Sequence, residues 1–270
     1  MAKNETLSGS VSEDVLHLQD LLLLQQARSV DLNNRDDRLK SRDRLQTFFF
    51  DLQRMIKPGL SLEIGAHSAT FSQRMDRLGA QAHAFEANPH NYKAFAPKLG
   101  RQSPEVRYHH MAVSDVDGEI TFQVKESRDG KALNKIAGNN SLLVRNDPSF
   151  VYESVTVAST RLDSFLNSQG LAGQEYSAWI DVEGALSKVT AGFGDAMQGC
   201  LSLIVEVEEV SYWQGQMLFF DAMRYFGSQN LVPVARDFEA PHQYNLVYLR
   251  KDVLLRPNVR LLLARFLRGD

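Results

Sequence analysis

The chain lacks most of what would mark a specialised class. Its 270 residues include one cysteine, Cys200, which excludes an intramolecular disulfide and a cysteine-rich zinc site. That cysteine stands just before the apolar run 201–207, where a thiol packs as a small hydrophobe rather than serving as a nucleophile. This usage fits a reducing compartment, and a cytoplasmic location is expected. Excess charge of one sign is missing too: 30 Lys and Arg face 33 Asp and Glu, for a formal net charge of -3. Without a basic field, nucleic acid is not an expected partner. No apolar run approaches the ~18 residues that suggest a membrane span, and the opening Met-Ala-Lys-Asn-Glu-Thr has no signal-peptide core. The seven histidines include no H-x-x-x-H or H-x-H pair of the kind that holds a metal.

What is present is ordinary globular material, 43% hydrophobic, enough to bury one large core. Residues 1–11 are polar and expected to be disordered. A leucine-rich helix is predicted from Ser12 and a second over 45–55, ended by Lys57-Pro58-Gly59. Between them, 31–44 is dense in mixed charge and reads as a solvated face. Strand patterns then cover 60–64, 81–85, 106–111, 177–181, 201–207, 231–234 and 244–250. Helix patterns cover 70–78, 89–99, 186–193 and 213–226. The alternation predicts an α/β fold, a mostly parallel sheet with helices on both faces. The last two strands lack room for a helix between them and are expected to pair antiparallel at one edge. Strand patterns at 119–124 and 153–159 interrupt the alternation and flank a loop, 127–149, long enough to be a lid or binding loop. From Pro257 the tail reads as a basic amphipathic helix, suited to packing on the domain, on a second copy as a homodimer contact, or on a membrane surface.

Three strand ends carry the candidate chemistry. At the first, Leu62-Glu63-Ile64-Gly65-Ala66-His67 runs from a strand into a turn and a helix. Gly65 leaves the backbone bare for a ligand. The turn lacks the G-x-G-x-x-G of a dinucleotide site and the Gly-Lys-Ser/Thr of a phosphate loop, so it cradles no pyrophosphate. At the second, Glu86 stands roughly twenty residues on, where paired acceptor oxygens suit the vicinal hydroxyls of a ribose. A nucleoside without a pyrophosphate fits both features, and S-adenosylmethionine is the expected cofactor. Glu63 can then face its cationic amino-acid end, and Ser114 and Asp115 end the strand where adenine is read. At the third, Ile180-Asp181-Val182-Glu183-Gly184 puts two acids at the carboxyl end of a buried strand, where reacting groups gather in open α/β sheets. Asp181 is the first candidate for a general base, with His67 behind it. Asp181 and Glu183, with Glu206 or Glu208 from the next strand end, can also hold a divalent cation, although the spacing is not diagnostic.

These motifs occur together and in order, and with them the chain resembles the FkbM-type S-adenosylmethionine-dependent methyltransferases over roughly residues 60–250. The resemblance rests on residues 62–67, on Ala-Phe-Glu-Ala-Asn-Pro at 84–89 and on Ala-Val-Ser-Asp-Val-Asp-Gly at 112–118. It also rests on Thr-Arg-Leu-Asp-Ser-Phe at 160–165, Ile-Asp-Val-Glu-Gly-Ala at 180–185 and Ile-Val-Glu-Val at 204–207. It implies a class I (Rossmann-like) methyltransferase fold: a seven-stranded mostly parallel sheet, helices on both faces and an antiparallel edge hairpin. A helical extension at 1–56, a methyltransferase domain at 57–252 and a terminal helix at 253–270 follow as the expected organisation. The resemblance implies O-methylation of a small-molecule or glycan acceptor, and it places the cofactor on Glu63, Gly65, Ala66, His67, Glu86, Ala87, Ser114, Asp115 and Asp181. Four positions depart from the family pattern. His67 stands for the common Asn, Ala69 for a second Gly, Ala87 for Pro and Trp179 for a Lys. They motivate the competing expectation of a non-catalytic binding or scaffold protein on the same fold.

Overall fold

The computed structural model describes residues 13–269; the expected disorder of 1–11 and the helix start at Ser12 lie outside the described residues. The chain begins with α1 (Glu13–Ala27) and α2 (Arg35–Ile56), then enters β1 (Leu60–Ile64), α3 (Thr70–Arg77), β2 (Gln81–Glu86), α4 (Pro89–Gln102) and β3 (Arg107–His110). An inserted stretch follows, with β4 (Ala112–Val113), β5 (Gly118–Arg128), β6 (Lys131–Ala132) and β7 (Phe150–Thr160). The alternation resumes with α5 (Leu162–Ser168), β8 (Tyr176–Ile180), α6 (Leu186–Ala191), a 3-10 turn (Gly194–Gly199), β9 (Cys200–Glu208) and α7 (Phe219–Ser228). It closes with β10 (Leu231–Arg236), β11 (Gln243–Arg250), α8 (Lys251–Leu254) and α9 (Pro257–Arg268).

Seven strands form one sheet in the order β10-β11-β9-β8-β1-β2-β3. All neighbours from β9 to β3 are parallel, while β11 runs antiparallel to both β9 and β10. This is the expected class I methyltransferase sheet with its antiparallel pair at one edge. The central strand β1 is buried along its whole length, as a parallel strand covered on both faces must be. Its alternation sorts side chains between the faces. Leu60, Leu62 and Ile64 join the core under α5, α6 and α7, whereas the opposite face meets α2, α3 and α9.

Residues 112–160 build a second sheet, β4-β7-β5-β6, dominated by the antiparallel pair β5 and β7. The sequence predicted the two strands but not their length or their separation from the main sheet. The segment 133–149 between β6 and β7 is irregular and lies across the carboxyl ends of the main strands.

Three other expectations are corrected. α2 starts at Arg35 rather than near 45, because the Asn34 side chain accepts from the Asp36 and Asp37 amides and starts the helix inside the charged stretch. α5 was not read from the sequence, being only seven residues long. The predicted helix over 213–226 is confined to Phe219–Ser228. Its first turn cannot form because Trp213 pairs across to Arg145 and the Gln216 side chain accepts from the Tyr212 and Trp213 amides. The terminal helices pack on the domain. Phe48 of α2 stacks on Phe266 of α9 at 4.5 Å, and the Gln26 side chain of α1 pairs with the Arg236 backbone at the sheet edge.

Candidate functional site

The turn after β1 is held by two adjacent amides, Gly65 and Ala66, that both donate to the Phe85 carbonyl at 3.0 and 2.8 Å. Gly65 has φ +82°, and a Cβ there would lie 1.7 Å from the Asp181 carbonyl oxygen. No other residue fits, because β1 and β8 touch at this point. His67 (φ +46°) and Ala69 (φ +57°) also take the left-handed conformation. Asn and Gly adopt it at least cost, so the two departures from the family pattern keep the shape of the turn and carry some backbone strain. His67 packs on Phe95 at 4.6 Å, and burial pushes its ring toward the neutral form.

Two buried carboxylates flank this turn and do different work. Glu86, at the end of β2, accepts from the His67 amide through one oxygen and from the Asn88 amide through the other, both at 2.7 Å. It lines a cavity at the carboxyl ends of the strands together with Gly65, His67 and Ala87. Glu63 does not. Strand alternation turns it away from Leu62 and Ile64, and its carboxylate accepts from the Phe71 and Ser72 amides at 3.1 and 2.7 Å. It therefore caps α3 from below instead of facing the ligand. Burial pushes both acids up to about 7, against the pull of those amides.

The floor of the cavity is apolar, formed by Phe85, Met111, Ala112, Val113 and Phe122. Ser114, Asp115 and Ala66 are not part of its lining. Ser114 is fully buried with its hydroxyl 2.7 Å from that of Ser159, and Asp115 pairs with Lys188 at 3.4 Å. Alternation beyond β3 gives way to β4, which leaves for the second sheet and carries Ser114 with it. Sequence spacing could not show that exit.

Asp181 lines the cavity from the opposite side, beside Val182 and Ala185. Its amide donates to the Ile64 carbonyl at 2.9 Å, and burial raises its carboxyl to about 6. Glu183 follows with φ +51° and Gly184 with φ +81°. A Cβ on Gly184 would strike the Trp213 ring at 2.3 Å, so the backbone there is pressed on the indole. Burial first, then Asp181, raises Glu183 to about 8, while Lys125 and Arg145 oppose the shift. Asp181, Glu183 and Glu206 each bring a carboxylate oxygen within 4.8 Å of the others, so the candidate cation ligands do converge.

The segment 133–149 covers this arrangement and is tied down at both ends. Asn88 and Asn91 donate their side-chain amides to the Lys135 and Ala137 carbonyls at 2.9 and 3.0 Å. The Ser141 hydroxyl donates to the Glu183 carbonyl at 2.7 Å, and the Gln214 amide donates to the Val144 carbonyl at 2.8 Å. Asn140 and Leu142 reach the cavity wall. The buried residues Lys125 and Trp213 and the partly covered Arg145 were not read as site residues. Lys125 sits where strand alternation points outward, and Trp213 falls inside a predicted helix, so no local pattern marked either one.

Trp179, the fourth departure, has a structural account. It packs at 6.1 Å from Phe49 and 5.8 Å from Phe71, so the partly buried ring faces α2 and α3. Cys200 is buried and its thiol is pushed up to about 12 by burial, as a structural cysteine should be. Among the described residues, no helix is long and apolar enough to cross a membrane.

No curated protein matches the chain. Solved structures with a similar arrangement include a 1,6-didemethyltoxoflavin-N1-methyltransferase from Burkholderia thailandensis, with S-adenosylhomocysteine bound. It is 12% identical with TM-score 0.41, over 87% of this chain and 89% of that one. Another is the magnesium protoporphyrin IX methyltransferase from Synechocystis PCC 6803 with S-adenosylmethionine bound, 10% identical with TM-score 0.43, over 90% of this chain and 100% of that one. The sequence model described as the methyltransferase FkbM domain matches residues 63–232, more than half of the chain and every strand from the Gly65 turn to the start of β10. The chain belongs to the FkbM methyltransferase family.

Proposed function

We propose that this methyltransferase binds S-adenosylmethionine between the Gly65 turn and Asp181 and methylates a hydroxyl of a sugar, glycolipid or related metabolite. One observation carries the reading. Glu86, fixed by two backbone amides, and Asp181 face one cavity from opposite sides. The residues present suit the cofactor. Gly65 leaves a bare backbone that a side chain would fill, Glu86 retains lone pairs for two ribose hydroxyls, and Phe85, Met111 and Val113 offer an apolar bed for a base.

When bound, S-adenosylmethionine supplies an electrophilic methyl and leaves as a neutral thioether. The protein's part is to hold the acceptor oxygen in line with that methyl and to remove the hydroxyl proton. Asp181 takes the proton. At about 6 its carboxyl is ionised at neutral pH, yet more basic than an exposed aspartate. His67, held neutral by burial, sits at the cofactor end of the cavity and is the second candidate base. The segment 133–149 excludes water from the reacting atoms. A cytoplasmic setting accords with the buried, unreactive Cys200.

Calorimetry of the full chain with S-adenosylmethionine and with NAD, followed by methyl transfer from labelled cofactor to a panel of glycosides and glycolipids, tests the reading. Binding of the first ligand alone, with label in a glycoside or glycolipid, is expected. A folded protein that ignores S-adenosylmethionine sinks it.

A further inference from the structure

We propose that the ends of β8 and β9, the second sheet and the Trp213 turn together form a mixed donor and acceptor subsite, in which Lys125, Arg145, Trp213, Glu206 and Glu208 read several hydroxyls of the methyl acceptor. This rests on the methyltransferase reading of the adjoining cavity and assigns residues that the reading does not use. Among the described residues, twelve buried side-chain nitrogen or oxygen atoms have no hydrogen-bond partner, and six of them gather here. Four are N–H donors: Lys125 Nζ, Arg145 Nε, Trp213 Nε1 and, beside Glu208, Gln216 Nε2. Two are carboxylate oxygens, Glu206 Oε1 and Glu208 Oε1.

They belong to one cluster. The Lys125 ammonium lies 5.2 Å from the Trp213 ring and the Arg145 guanidinium 4.4 Å from it. Arg145 approaches the Glu183 carboxylate at 3.7 Å, and Glu183 converges with Asp181 and Glu206. Glu208 adds to the repulsion felt by both Glu183 and Glu206. Lys125 is 2% exposed, and a lysine is almost never buried without a partner. Leaving buried polar groups unpaired costs free energy, and the cost is concentrated beside the candidate base.

The mixture of atoms selects the ligand chemistry. A divalent cation would satisfy Glu206 with Asp181 and Glu183 but would leave the N–H donors idle and stand beside two cations. An anion would satisfy the donors but would face Asp181, Glu183 and Glu206. A hydroxyl accepts from an N–H and donates to a carboxylate with the same oxygen. A ligand with adjacent hydroxyls therefore uses both kinds of group without adding charge. Asp181 belongs to the acid cluster and also lines the cavity, so a hydroxyl bound here is next to the group proposed to deprotonate it. The Ser141–Glu183 hydrogen bond and the Arg145–Trp213 pairing close the subsite, and they are the bonds that must open to admit the acceptor.

The test uses the full chain with S-adenosylhomocysteine present. Three probes are titrated separately by calorimetry and saturation-transfer NMR: a methyl glycoside, inorganic phosphate and manganese chloride. Wild type, Lys125→Met and Glu208→Gln are compared. The expected result is glycoside binding that each variant weakens by roughly tenfold or more, with affinity for S-adenosylhomocysteine unchanged. Either variant alone reads the subsite if the other fails to fold. Phosphate or manganese binding that the variants abolish, without glycoside binding, overturns the proposal in favour of an ion site. Glycoside binding indifferent to both variants, or no glycoside binding to wild type while S-adenosylhomocysteine binds normally, also overturns it. Failure of wild type to bind S-adenosylhomocysteine counts instead against the methyltransferase reading of the cavity.

Discussion

The crossing after β1 and the crossing after β8 are made from the same parts: a glycine without room for a side chain, a non-glycine residue in the left-handed conformation, and buried acids. They differ in how their polar groups are satisfied. Around Gly65, Glu63 and Glu86 each accept two backbone amides, so both acids are held before any ligand arrives, and the atoms left without a partner beside them, Ser72 Oγ and Asn91 Oδ1, are uncharged. Around Glu183, two acids, a lysine, an arginine, a tryptophan and a glutamine each keep an atom without a partner. A region that always receives the same cofactor can be finished in advance. A region that must discriminate between acceptors has to keep hydrogen-bonding capacity in reserve, at the expense of stability.

The sharpest way to separate the two regions is Asp181→Asn. Labelled methyl transfer should fall about 10²–10⁴-fold, while calorimetry still shows cofactor binding. In wild type the rate should rise with pH through about 6, since the base must be ionised. An unchanged rate in the variant would move the base to the other region, at His67. Next comes Gly65→Ala, aimed at the finished turn. A methyl group driven into the Asp181 carbonyl should cost about 3 kcal/mol or more. Denaturant unfolding would show the loss, together with loss of cofactor binding.

A pH series addresses both regions together. A carboxyl raised on folding binds more protons in the native state, so stability is lost as pH climbs through the folded value. Glu63, Glu86 and Glu208 near 7 and Glu183 near 8 all act in that direction. His83 and His109, depressed to about 4 mainly by burial, act oppositely, but only below their ordinary 6.5. The melting temperature should therefore fall between pH 6.5 and 8, and Glu208→Gln should flatten the slope. A slope untouched by that variant assigns the titration to the Gly65 side. The smallest effect is expected from His67→Asn. It relieves left-handed strain and gives up the packing on Phe95, for a net gain below about 1 kcal/mol.

The sequence revealed the strand ends of both regions better than the residues folded over them, for a physical reason. Gly65, Glu86 and Asp181 occupy strand ends, and strand ends are placed by hydrophobic periodicity, which is a local signal. Glu63 was found but given the wrong neighbour, since strand alternation sends it to α3. Ser114 and Asp115 follow β4, where the chain has left the main sheet, so strand-end spacing does not locate them. Lys125, Arg145 and Trp213 come from β5, the segment before β7 and the turn after β9, and they meet only in the folded packing. Nothing within ten residues of any of them encodes that. Glu206 and Glu208 were legible as acids at a strand end, whereas their unpartnered oxygens are a property of the folded packing alone.

Trp179 has a consequence for where this protein can be cut. The family match begins at residue 63, yet Trp179 on the central sheet rests against Phe49 and Phe71, and Phe48 in turn holds Phe266 of the last helix. The unit of homology is therefore smaller than the unit of folding. A fragment trimmed to the matched residues would keep every residue proposed for chemistry and expose the aromatic seam that α2 covers. Such a fragment should aggregate when expressed, however intact its motifs look.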